Sequence, residues 1–69
     1  MERIYHLEGI DCANCAAKLE RAIGKLKNVH SVSLTFLTGR LVVDCAEDAE
    51  ADILAEIKKR EPEVVVTKL

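Results

Sequence analysis

Apolar residues recur along this chain at two different periods, and the order in which those periods alternate limits what it can fold into. Ile4-Tyr5-His6-Leu7 is a short run of β-formers leading to Glu8-Gly9, a strand closed by a turn. From about Asn14 to Lys27 the period is helical. Ala16, Leu19, Ala22, Ile23 and Leu26 fall at three- and four-residue intervals, with Lys18, Glu20, Arg21 and Lys25 between them. Gly24 weakens the second half of that helix by about 1 kcal/mol relative to Ala. Val32, Leu34 and Phe36 then alternate with Ser31, Ser33 and Thr35, the period of a strand with one wet face. Leu41, Val43 and Cys45 do the same with Val42 and Asp44, and Thr38-Gly39-Arg40 joins the two strands as a hairpin. Glu47-Asp48-Ala49-Glu50 opens a second helix with Ile53, Leu54 and Ile57 on its apolar face. Acid at its start, Lys58-Lys59-Arg60 at its end and Pro62 beyond match the helix dipole and its termination. Val64-Val65-Val66 makes the last strand.

The order βαββαβ predicts an α+β fold of the ferredoxin-like, split βαβ kind, an antiparallel sheet with both helices packed on one face. Right-handed crossovers then set the topology. With 69 residues, no linker, no repeat and no low-complexity segment, residues 1–69 are expected to form one small domain. The first and second strands run one way and the third and fourth the other. That gathers the loop after Leu7, the turn at Thr38 to Arg40 and the loop at Glu61 to Glu63 at one pole, and leaves His30 and Cys45 near the other.

Ten basic and twelve acidic residues, net charge −2, are interspersed along the helices. Such a balance gives no footprint for nucleic acid or for an anionic membrane surface. No apolar run approaches the roughly 18 to 20 residues of a membrane span, and no basic-then-apolar signal segment opens the chain. The expectation is a soluble protein. Three cysteines, an odd count, argue against a closed disulfide framework and for reduced thiols in the cytoplasm.

The chemistry concentrates in Gly9-Ile10-Asp11-Cys12-Ala13-Asn14-Cys15. Two soft thiolates separated by two residues, where a loop runs into a helix, can chelate one ion. Unpaired N–H groups at the helix start favour negative charge, so Cys12 or Cys15 is expected to ionise below the reference value of about 8.5. Gly9 allows a sharp turn, and Ile10 is placed to tuck under the loop as an apolar anchor. Asp11 sits where it can ligate a metal, cap the first helical turn, or both. The competing reading of Cys12 with Cys15 is a redox dithiol, but the longer mixed sheet of thioredoxin-like proteins is missing. Cys45 is expected in the core, His6 on the open sheet face, His30 at the far pole, and Lys18, Arg21, Lys25 and Lys27 on a solvated helix face that can steer a partner.

These residues, continuing into Ala16-Ala17-Lys18-Leu19-Glu20, resemble the motif of the heavy-metal-associated domain, and the likeness covers nearly the whole chain, including Leu41-Val42-Val43-Asp44. Domains of that family occur in metallochaperones and at the cytosolic N-termini of metal-translocating P-type ATPases. In copper(I) members threonine usually precedes the first cysteine. Asp11 in that place is similar to the N-terminal domains of zinc-, cadmium- and lead-exporting ATPases.

The resemblance therefore implies a non-catalytic cytoplasmic domain binding Zn(II), Cd(II) or Pb(II) through Asp11, Cys12 and Cys15. It would regulate or feed a membrane exporter, with other domains of the parent ATPase as partners and no membrane insertion of this segment. A divalent d¹⁰ ion accepts about four ligands including carboxylate oxygen, whereas copper(I) is satisfied by two thiolates. Glu61 or Glu63 is the candidate fourth ligand, within one molecule or across a metal-bridged dimer. Two departures from the family pattern stand out: Ile10 replaces a common methionine, and Glu61-Pro62-Glu63 replaces the lysine or aromatic that copper chaperones often carry. The alternatives are a stand-alone Cu(I) or Hg(II) metallochaperone and, in another class, a dithiol oxidoreductase.

Overall fold

The computed structural model describes residues 1–10 and 12–69. Four strands, β1 (Glu2–Glu8), β2 (Val29–Thr35), β3 (Arg40–Cys45) and β4 (Val65–Lys68), alternate with helices α1 (Ala13–Gly24) and α2 (Glu50–Arg60), the latter entered through a 3-10 turn at Glu47–Ala49. The strands form one antiparallel sheet in the order β2-β3-β1-β4. This is the expected ferredoxin-like α+β arrangement. Tyr5 and Leu7 of β1, Leu41, Val43 and Cys45 of β3, Leu19 and Ile23 of α1 and Ile53 and Ile57 of α2 bury one another in a single core. The buried positions in β1 and β3 alternate and those in each helix fall on one stripe, as the two periods require.

Two element ends and one expected burial differ from the pattern read in the sequence. Helix α1 stops at Gly24 rather than Lys27, with Lys25 as its C-cap: the Lys25 N–H donates to the Ala22 carbonyl and the Leu26 N–H to the Ile23 carbonyl. The weak helix propensity of Gly24 wins there, and Leu26 is left half-buried against the core from outside the helix. Strand β2 ends at Thr35, so Phe36 lies in the turn and is exposed rather than aligned on the strand's inner face. Leu54 is 38% exposed, because the buried stripe of α2 passes through Ile53 and Ile57 and turns away from it.

Two long-range contacts hold the pole at which β1 ends. The Leu7 N–H donates to the Gly39 carbonyl at 2.7 Å. Gly39 has φ +70°, and a Cβ there would stand 2.4 Å from the Leu7 carbonyl oxygen, so this turn accepts only glycine. Gly9 has φ +104°, and a Cβ on it would meet the Glu63 carbonyl oxygen at 3.3 Å. The β2–β3 turn and the α2–β4 loop therefore both press against the segment that leads into α1. At the exposed edge, the Leu34 N–H of β2 donates to the Glu20 carboxylate of α1 at 2.6 Å, which ties the helix to the strand it crosses.

The opposite pole is closed by polar groups. The buried Tyr5 hydroxyl donates to Glu50 at 3.1 Å, and Lys68 pairs with the same carboxylate oxygen at 3.0 Å. Burial above all, with the Glu50 carboxylate beside it, pushes the Tyr5 phenol up to about 12. Its hydrogen bond from Lys68 holds Glu50 below the usual carboxylate range. Cys45 is fully buried in the core near this pole, where it was expected.

Candidate metal centre

Cys12 is the N-cap of α1, with extended backbone angles of φ −152° and ψ 159°. Its sulfur accepts the backbone N–H of Cys15 at 3.2 Å, taking up one of the orphan donors of the first turn. The Cys12 thiol also approaches the Cys15 sulfur at 2.8 Å. The helix start therefore performs two tasks with one side chain: the sulfur caps the helix, and the N–H groups and dipole of that helix favour negative charge on the sulfur. All three cysteines are thiols rather than half-cystines.

Cys12 and Cys15 are both half-buried, so one flank of the pair is seated and the other reaches solvent. Ile10 packs against the core beneath them, as expected of an anchor. At a metal–sulfur distance of about 2.3 Å, a tetrahedral ion needs its two sulfurs about 3.8 Å apart and a linear one about 4.6 Å. The pair at 2.8 Å opens by about 1 Å for the first geometry and about 1.8 Å for the second.

Of the other expected site residues, Asp11 lies outside the described residues. Glu61 is the C-cap of α2, with its N–H donated to the Ile57 carbonyl at 2.8 Å. It lines one groove of about 300 Å³ together with Cys15, Lys18, Leu19, Lys59 and Arg60. Glu63 is exposed and touches the loop through its backbone carbonyl beside Gly9. Among the described residues, no three His, Cys, Asp or Glu side chains are gathered into a ready metal cluster. His6 borders a different groove with Gly9, Ile10 and the turn at Phe36 to Gly39. Lys59 and Arg60, read from the sequence only as the basic end of α2, line the same groove as Cys15.

A dithiol at the N-terminus of α1, on a βαββαβ sandwich whose three loops meet at that pole, defines a class of small metal-binding domains. Residues 4–61 match the heavy-metal-associated domain family, and the chain belongs to it. It is 38% identical over 55 residues to the zinc/cadmium/lead-transporting P-type ATPase of Shigella sonnei, an alignment covering 80% of this chain and 8% of that protein. It is 39% identical over 54 residues to the copper-transporting ATPase HMA4 of Oryza sativa subsp. japonica, covering 77% of this chain and 6% of that one. Among solved structures, the apo N-terminal domain of ZntA superposes with a TM-score of 0.81 at 31% identity, covering 99% of this chain and 90% of that domain. The chain thus spans less than a tenth of the length of these two transporters. No helix among the described residues is long and apolar enough to cross a membrane.

Proposed function

We propose that this chain binds zinc(II), cadmium(II) or lead(II) through Asp11, Cys12 and Cys15, and that it serves as the N-terminal regulatory or delivery domain of a heavy-metal-exporting P-type ATPase. The observation that carries the reading is the pair of sulfurs at the start of α1, 2.8 Å apart, directly preceded in sequence by a carboxylate. Two thiolates leave a divalent d¹⁰ ion short of its preferred four ligands, and the neighbouring carboxylate supplies a third. For copper(I) the same carboxylate adds negative charge without a bond to offset it. The fourth position is open or taken by Glu61, which shares a groove with Cys15, or by Glu63.

On this reading residues 1–69 are one non-catalytic domain working on the cytoplasmic side of the membrane. The ion is cargo, passed by ligand exchange: a partner's thiolate bonds to the metal as Cys12 or Cys15 leaves. A copper(I) role is favoured by the 39% and 37% identities to a copper-transporting and a probable copper-transporting ATPase. Titrating the reduced chain with zinc, cadmium, lead and copper(I) against competing chelators decides between them. The divalent reading expects tight one-to-one binding of the divalent ions and chemical-shift changes at the Asp11 resonances. Binding of copper(I) alone overturns it.

A further inference from the structure

The groove beside Cys15 adjoins a second one. Lys18 and Arg60 line both, and the second, about 340 Å³, runs on between the helices past Arg21 to Lys25. Five basic side chains, these four with Lys59, face two carboxylates along this path, and one of the two, Glu56, is engaged by Arg60. The path therefore carries a net charge of +3 on a chain whose net charge is −2. A cation-binding sulfur stands at the mouth of a strongly cationic groove, and elementary electrostatics makes that a poor approach for a bare divalent ion. It is a good approach for an ion that arrives inside an anionic complex.

We propose that this groove receives the anionic small-molecule carrier of the ion, a polycarboxylate or a carboxylate-bearing thiol, whose acid groups are held by Lys18, Lys59 and Arg60 while Cys15 takes its metal. The inference rests on the metal-binding reading above. The step is ligand exchange without electron transfer: the Cys15 thiol gives its proton to solvent, its sulfur bonds to the ion, and a carrier donor leaves with its electron pair. Lys18 follows Cys15 by three residues, so the two lie on one helix face about 5–6 Å apart at Cβ. Lys25 is ten residues away, about 15 Å along the helix. That exceeds the screening length of about 8 Å at physiological salt, so the near cations dominate and the far one contributes little.

Cadmium separates this proposal from the reading beneath it, because its bond to thiolate absorbs in the ultraviolet. An equilibrium titration of the wild-type chain and of the K18E/K59E double variant comes first, and both are expected to bind, the variant as tightly or more tightly, since neither lysine is a ligand and removing positive charge beside the sulfur favours a cation. Failure of the wild type to bind overturns the metal-binding reading and this inference with it. Stopped-flow transfer is then followed from cadmium–citrate, from cadmium–glutathione and from aquo cadmium. The double variant is expected to accept the ion severalfold more slowly from one or both anionic complexes, and as fast or faster from the aquo ion, with K25E close to wild type. Loss with citrate assigns a polycarboxylate, and loss with glutathione alone assigns a thiol carrier. Unchanged rates from both complexes, an equal slowing from all three sources, or an effect seen only with a protein donor overturns the proposal.

Discussion

The sulfur of Cys12 accepts the backbone N–H of Cys15 at 3.2 Å, so the first cysteine of the proposed metal loop is also the cap of α1. The two roles separate by substitution. Cys12→Ser keeps an N-cap acceptor and is expected to leave stability unchanged or raised by up to about 1 kcal/mol, whereas Cys12→Ala is expected to lose up to about 1 kcal/mol. On the proposed reading both variants lose a soft ligand. Cadmium affinity is expected to fall in each by more than the roughly 10- to 100-fold typical of groups that only orient a ligand. Urea denaturation and chelator competition, run side by side, check the pair of outcomes.

Gly39 and Gly9 hold the pole together at different tolerances. A Cβ at Gly39 meets the Leu7 carbonyl oxygen at 2.4 Å, and its φ is already left-handed. Gly39→Ala is therefore expected to cost more than about 2 kcal/mol, strain and displacement together, with a clear drop in Tm. At Gly9 the nearest atom is the Glu63 carbonyl oxygen at 3.3 Å. Gly9→Ala is expected to cost less stability and to weaken metal binding, because it separates the α2–β4 loop from the segment before Cys12. Thermal melts together with metal titrations distinguish the two.

Alkaline pH is expected to destabilise the fold through Tyr5. Its folded-state value of about 12 lies above the ordinary value of 10.0, so the folded state holds the phenolic proton more tightly than the unfolded state does. The resulting stability is fully present below pH 10 and is lost as pH rises towards 12, by roughly 2 to 3 kcal/mol. Tyr5→Phe removes that pH dependence. Glu50 acts in the acid range with the opposite sense: its lowered value gives stability above the ordinary value of 4.5 that is lost as pH falls. Denaturation midpoints of wild type and Tyr5→Phe across both ranges check the assignment.

The fold was legible because the apolar residues that set its periods, such as Leu19, Ile23, Leu41 and Val43, are the ones the core buries. Boundaries were less so. At Gly24 a local propensity overrode a helical stripe that continued to Leu26, and Phe36 kept the alternation of β2 after the hydrogen-bonded ladder had stopped at Thr35. The dithiol could be read from spacing alone, since Cys12 and Cys15 are joined by local helix geometry. The cationic groove could not: Lys59 and Arg60 reach Cys15 only through the packing of α2 beside α1, a relation between residues more than forty positions apart. Leu54 illustrates the same point, its exposure being set by the angle at which α2 lies on the sheet.

The proposed preference for divalent ions rests on the carboxylate that precedes Cys12, and the direct measurement is the metal affinity of the Asp11→Ala variant, taken for zinc, cadmium and lead on one side and copper(I) on the other. Removing an oxygen ligand that only divalent ions use is expected to weaken their binding severalfold or more and to leave copper(I) affinity almost unchanged. Equal losses for both kinds of ion, or no loss for either, would contradict it.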